Sequence, residues 1–270
     1  MLFVKRTPSA GISRFVDYLW LLTDAPSHAR ERILPTGTLE LVINLAHDRI
    51  RVYDGAGVCQ RFSGAIISGA YDRPFDIDTA AHARMMGVHF RPGGAFPFTR
   101  VSPGELANAH VDATTLWGRC ALQLRERLCG ARTDQERFEI LDAALVARAV
   151  ESAGSAHPDL SRALDHLSEA RMSVRDLVSS LGISHRHFAA VFRREVGLPP
   201  KVFARIQRFQ RAISVRREGG VGDCARLSVQ CGYFDQSHMH RDFAAFARVA
   251  PRQYFQRNVA QTKDHHLALR

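Results

Sequence analysis

Residues 231–243 read CGYFDQSHMHRDF, and eight positions later the chain continues with Pro251-Arg252-Gln253-Tyr254. An echo of this stretch lies 51 positions upstream. Set Gly182–Phe203 above Tyr233–Tyr254 and Phe188 falls on Met239, Phe192 on Phe243, His187 on His238, Pro200 on Pro251 and Phe203 on Tyr254. Each copy follows a short amphipathic segment, with Val174, Leu177, Val178 and Leu181 in the first and Cys224, Leu227 and Val229 in the second. Each then has a glycine (Gly182, Gly232) and a helix-capping residue (Ser184, Asp235). A glycine ends one helix without steric cost, and a Ser or Asp oxygen accepts from the unpaired N–H groups of the next. Helix, tight turn, helix is the helix-turn-helix pattern, here present twice. A longer helix, about 201–217, joins the copies. Its stripe of Val202, Ile206, Phe209 and Ile213 reads as core.

Upstream, Leu39–Leu45 alternates. Leu39, Leu41, Ile43 and Leu45 fall on one face of a strand, and Glu40, Val42 and Asn44 on the other. Short strand candidates at 15–22, 32–34, 49–53, 58–62, 65–68, 75–77 and 84–90 surround it, separated by turn residues such as Asp54-Gly55-Ala56-Gly57 and Tyr71-Asp72-Arg73-Pro74. Many short strands at this spacing predict a sandwich or barrel of the jelly-roll kind. From about Pro103 to residue 150 leucines recur at helical intervals. The expected architecture is a two-domain α+β chain. An N-terminal cupin-like β domain with trailing helices spans 1–152, and a linker spans 153–158. An all-α tandem helix-turn-helix domain spans 159–258, and a polar tail 259–270.

Charge follows the same division. Of the 270 residues, 37 are Lys or Arg and 27 Asp or Glu, a net +10. Residues 1–155 hold 18 basic and 17 acidic side chains, residues 156–270 hold 19 and 10. The excess sits on the helical half, as expected if that half meets a polyanion. An anionic surface bound without sequence reading is the class-distinct alternative. Five cysteines with no C-x-x-C pair fit free thiols in a reducing compartment, and no apolar run approaches a membrane span. A signal segment is not expected, and a cytoplasmic location is.

The C-terminal residues resemble the DNA-binding domain of the AraC/XylS family of transcriptional regulators. The match runs through Asp176-Leu177, Leu181-Gly182-Ile183-Ser184, Phe188, Phe192–Gly197 and Arg208 to Ala212. It is strongest in Cys231–Phe243 with the Pro251–Tyr254 ending. Residues 13–150, with LPTGTLELVINL and GVHFRPGGAF, resemble the barrel-plus-helices domain of a subset of these proteins. The resemblance implies double-stranded DNA as partner, RNA polymerase as a second, activation of transcription, a small-molecule effector in the N-terminal domain and a possible homodimer. No cofactor, metal, membrane or catalytic role is implied. Arg186, Ala189 and Ala190 occupy base-reading positions by resemblance. On the second recognition helix Gln236, Ser237, His240 and Arg241 do so, Gln236 suiting adenine and Arg186 and Arg241 guanine. His185, Arg193, Arg194, Lys201, Arg205 and Arg252 are phosphate candidates, which position without specifying. For the effector, Glu40, Asn44, His89 and Arg91 are the polar groups on or beside strands.

Three features qualify the match. Arg248 stands where the second copy usually has glycine, which demands a left-handed residue or a different helix end. Val178 and Ser228 replace the alanines usual in the supporting helices. The pairs His185/His187 and His238/His240 are spaced i,i+2 and point apart, against the i,i+3 or i,i+4 spacing of helical metal ligands. His265-His266 could bind metal adventitiously. The N-terminal half lacks the clustered histidines of a cupin enzyme, a G-x-S-x-G motif and a phosphate loop, so catalysis is not expected.

Overall fold

Strand β4 (Glu40–Asn44) lies between two buried environments. Leu41 and Ile43 pack toward helices, while Glu40 and Val42 face a space between two sheets. The computed structural model describes residues 2–24, 28–150, 158–169, 172–219, 223–257 and 265–269. Around β4 run β1 (Leu2–Arg6), β2 (Val16–Thr23), β3 (Arg30–Ile33), β5 (Arg49–Tyr53), β6 (Cys59–Ser63), β7 (Ala65–Ser68), β8 (Phe75–Asp78), β9 (Arg84–Phe90) and β10 (His110–Asp112). One antiparallel sheet has the order β1-β2-β9-β4-β7-β10. The other is formed by β3, β8, β5 and β6 with one further strand outside β3. Trp20, Leu22, Ile50, Val52, Ile66 and Met85 form the apolar layer between the sheets. The short helix α1 (Phe96–Thr99), then α2 (Ala113–Trp117), α3 (Arg119–Gly130) and α4 (Asp134–Val150), cover the outer face of the first sheet through Leu124, Leu128, Phe138, Leu141 and Leu145.

The helical half contains α5 (Pro158–Ser168), α6 (Val174–Leu181), α7 (His185–Val196), α8 (Pro200–Arg217), α9 (Cys224–Gln230), α10 (Gln236–Phe246) and α11 (Pro251–Arg257). Both expected caps are made. Ser184 accepts from the His187 N–H and Asp235 from the His238 N–H. Helix α8 serves two cores. Phe203 joins Leu177, Phe188, Phe192 and Val196 in the first unit, while Ile206, Phe209 and Ile213 join Met239, Phe243 and Tyr254 in the second. Arg248 adopts the left-handed conformation, φ 57°, after α10 has ended. Its guanidinium donates to the Gly55 carbonyl at 3.0 Å, a fixed partner for a residue in a costly backbone state. Val178 and Ser228 are both buried, and the Ser228 hydroxyl donates to the Ala225 carbonyl within its own helix.

The last element departs from the expected polar tail. Residues 266–269 form β11 (His266–Leu269), antiparallel to β3 with His266 opposite Ile33 and Leu269 opposite Arg30. It is the outer strand of the second sheet, and Leu267 is fully buried. Edge pairing and one buried leucine explain why a stretch with little sequence signal becomes a strand. The expected linker at 153–158 lies outside the described residues apart from Pro158, which opens α5.

The two halves share an apolar core and a set of polar contacts. Gln207 and Gln210 of α8 donate to the carbonyls of Thr36 and Pro35 at 2.9 and 2.6 Å. The Ser102 hydroxyl and the Gly104 N–H donate to the Arg194 carbonyl at the end of α7, at 2.8 and 3.3 Å. Gly197 ends α7 at φ 99°, where a side chain would be strained, and a Cβ there would sit 3.1 Å from the Ala70 methyl.

Candidate nucleic-acid interface and inter-sheet cavity

Packing decides which side of each recognition helix faces out. Phe188, Phe192 and Val196 turn one side of α7 inward. That leaves His185, Arg186, Ala190, Arg193 and Arg194 exposed and Ala189 half-buried. On α10, Met239, Asp242, Phe243 and Phe246 face in, and Gln236, Ser237, His240 and Arg241 are exposed. Every base-reading candidate on α10 thus lies on its solvent face, and Lys201 of α8 and Arg252 of α11 are exposed as well. Phe234, in the turn before α10, is 91% exposed, an apolar group on this surface that a search for polar base contacts passes over.

Some candidates are engaged within the protein. Arg205 donates from Nε and Nη2 to one oxygen of the buried Asp242 at 2.9 and 2.7 Å, tying α8 to α10. Arg194 pairs with Glu195 at 2.8 Å. His238 packs edge-on against Tyr233 and meets the Arg208 guanidinium at 3.4 Å. Burial and then the Arg208 charge lower its pKa.

The space between the sheets is a cavity of about 70 Å³. Of the effector candidates, Glu40 lines it. Burial alone would raise the Glu40 carboxyl. The hydrogen bond from His89 and the charges of His89, His265 and His266 outweigh that and hold it at about 2. Asn44 is fully buried and spends its amide on backbone, donating to Arg49 and Ala81 and accepting from Ala46 and His47. His89 and Arg91 line a second, polar cleft at the junction of the two halves, together with Lys5, Gln207 and Gln210. Arg91 bonds the Ser13 carbonyl and faces Asp17.

The cavity also gathers Glu31, His110, His265 and His266, none of which stood among the sequence candidates for it. Glu31 accepts from His28 and His266 at 2.8 and 2.6 Å, and His265 approaches Glu40 at 3.7 Å. These four residues come from β3, β10, β11 and the residue just before β11, far apart in the chain. One signal was available: in Arg30–Ile33 the charged Arg30 and Arg32 alternate with Glu31 and Ile33, which share the inner face. Among the described residues no group of three or more ligand-type side chains is arranged to hold a metal ion.

A hydrogen-bonded path links this cavity to the helical half. His89 Nδ1 donates to Glu40 at 2.6 Å, and His89 Nε2 meets the Thr38 hydroxyl at 3.0 Å. The Thr38 hydroxyl meets that of Thr36 at 2.9 Å, and the Thr36 carbonyl receives the Gln207 amide.

Fold and site define a class: a two-domain protein with a two-sheet β domain and a tandem helix-turn-helix domain joined by one long helix. Residues 177–257 match the family model described as a helix-turn-helix domain, and residues 4–112 match one described as a domain of unknown function, DUF6597. A comparison with functionally curated proteins finds no match. Among solved structures the chain is similar to ToxT from Vibrio cholerae, at TM-score 0.49 and 11% identity over 95% of this chain and 98% of that one. It is also similar to ToxT from strain SCE256 with unsaturated fatty acid bound, at TM-score 0.49 and 9% identity over 94% of each chain. A third similarity is to ToxT from strain O395 bound to a methylnaphthalenyl butenoic acid, at 0.46 and 10% over 95% and 99%. Among the described residues no helix is long and apolar enough to cross a membrane.

Proposed function

We propose that the protein is a sequence-specific transcriptional regulator whose N-terminal domain responds to a small molecule. The observation that carries the DNA-binding part is the outward polar face of both recognition helices, backed by apolar cores and joined by a single helix. On this reading α7 and α10 enter successive major grooves on one side of the duplex, about 34 Å apart. Arg186, Ala189 and Ala190 meet base edges from α7, and Gln236, Ser237, His240 and Arg241 from α10. His185, Arg193, Arg194, Lys201 and Arg252 hold phosphates. Arg205 holds Asp242 and acts on DNA by fixing the angle of α10, with any phosphate contact secondary. RNA polymerase is the expected downstream partner.

The path from Glu40 to Gln207 supports the responsive part, because it gives a change in the cavity a direct route to α8. Selection of bound sequences from a random DNA pool tests the whole. One recovered site should bind at least ~10³-fold tighter than random DNA at the same salt. A chain that retains random and selected DNA equally at every salt concentration is a general polyanion binder, and the reading is then wrong.

A further inference from the structure

The polar groups of the cavity are not equivalent. At one end Glu31, Glu40, His265 and His266 are already paired with one another or with His28 and His89. At the other end His110 of β10 projects from the first sheet with both ring nitrogens buried and without a hydrogen-bond partner. Its ring lies among Phe75, Tyr71 and Phe62, with centroids at 4.7, 4.8 and 5.7 Å. An imidazole in such a cage is neutral, with burial lowering its pKa to about 3. It therefore offers one N–H and one lone pair to anything that enters. Buried polar groups are almost always paired, so an unpaired one in the wall of a cavity singles out that wall as the place for a ligand's polar group.

The remaining chemistry narrows the ligand. The walls are mostly apolar, as in small-molecule sites, with a few polar groups among them. No lysine or arginine lines the cavity, whereas two carboxylates do. An anion would meet two carboxylates whose histidine partners are already engaged, and a cation would find both carboxylates taken by those histidines.

We propose that this cavity binds an uncharged, mostly apolar small molecule of the phenol or alcohol class, through one hydroxyl held by His110. A hydroxyl is donor and acceptor at once and so can pair whichever His110 nitrogen it reaches, the N–H or the lone pair. The inference rests on the N-terminal domain being the responsive one.

The test uses the full chain and three probes of one shape: 4-propylphenol, propylbenzene and 4-propylbenzoate. Binding is followed by calorimetry and by the emission of Trp20, which lines the cavity. At pH 7.5 the phenol is expected to bind at least tenfold tighter than either of the others. His110→Phe should cost the phenol at least tenfold and leave propylbenzene unchanged. Benzoate binding as tightly as the phenol overturns the proposal. So does equal phenol binding by H110F, or no probe bound at 1 mM. If H110F does not fold, the ¹⁵N resonances of His110 in the wild type decide: the phenol must move them and propylbenzene must not. DNA affinity is measured separately on the selected site. Phenol binding without change in DNA affinity removes the responsive role and leaves the ligand site, whereas failure of site selection removes the regulator reading alone.

Discussion

Gln207 of α8 donates its side-chain amide to the carbonyl of Thr36 at 2.9 Å, and Gln210, one turn on, does the same to Pro35. These two bonds hold the helix that joins both recognition units against the loop after β3. Each neutral hydrogen bond contributes about 0.5–1.5 kcal/mol net. Gln207→Ala with Gln210→Ala should therefore weaken the junction by about 1–3 kcal/mol without unfolding either half. Hydrogen exchange measures this directly. Protection at residues 34–38 and along α8 should fall, while amides within β2 and β9 keep theirs. Uniform loss across the chain would mean that the junction is not a separate unit.

Arg241 and Arg193 are both exposed, but their predicted roles differ. Arg241→Ala is expected to cost ~1–3 kcal/mol on the selected site and to relax preference at one base pair. Arg193→Ala should weaken all sequences alike and lower the slope of log K against log salt by about 1. Binding of each variant to the selected site, to single-base variants and to random DNA separates these outcomes. Equal losses on specific and random DNA for Arg241→Ala would rule out base reading by that residue.

How far the sequence reveals this molecule depends on whether the signal is local. The caps at Ser184 and Asp235 and the alternation along 39–45 are local, and the structure contains them. The two faces of β4 were separable, but that both are buried was not, because a helix layer and a cavity each accept apolar residues. Strands β1, β10 and β11 are short and lack alternation, and β11 exists only through its pairing with β3. The cavity is the least legible part. Glu31, His110 and His266 meet through sheet register, so no spacing in the sequence announces them. Arg205 reads as one basic residue among many until Asp242, 37 positions away, is seen beneath it.

That pair makes a stability prediction. Asp242 is fully buried and its charge is answered by Arg205, itself partly in solvent. Arg205→Leu leaves a buried carboxylate without its cation, expected to cost about 3 kcal/mol. Adding Asp242→Leu should restore part of the loss, since two apolar groups replace the pair. Urea unfolding of both singles and the double gives the coupling. A double variant less stable than Arg205→Leu by the full cost of Asp242→Leu alone would show that the two do not act together.

Acid should act on the β domain in two windows. The folded-state pKa of His110 is about 3, against an ordinary 6.5, so the unfolded chain binds more protons between those values. Stability is then lost as pH falls from 6.5 toward 3, by at most about 1.4 kcal/mol per unit from this group. Glu40, at about 2 against 4.5, contributes stability that is present above pH 4.5 and is lost as pH falls toward 2. Relative to wild type, His110→Phe should flatten the slope between pH 6.5 and 3, and Glu40→Gln should flatten the slope below 4.5. Unfolding free energies of the three proteins across pH 7 to 3 check both signs.

The C-terminal strand gives the last prediction. β11 covers the edge of β3, buries Leu267 completely and places His266 on Glu31. Ending the chain at residue 264 removes all three. Exposure of Leu267's cavity costs about 1.5–3 kcal/mol and loss of a charge-assisted hydrogen bond on buried Glu31 about as much again. The truncated protein should thus be about 3–6 kcal/mol less stable in urea. Because His265 and His266 are part of the cavity wall, their removal should also admit water and shift Trp20 emission to longer wavelength. Helices α5 to α7 have a core of their own that does not include β11, so the first recognition unit should keep its protection against exchange. An unchanged urea midpoint and an unshifted Trp20 spectrum would mean that the strand is not part of the β domain in solution.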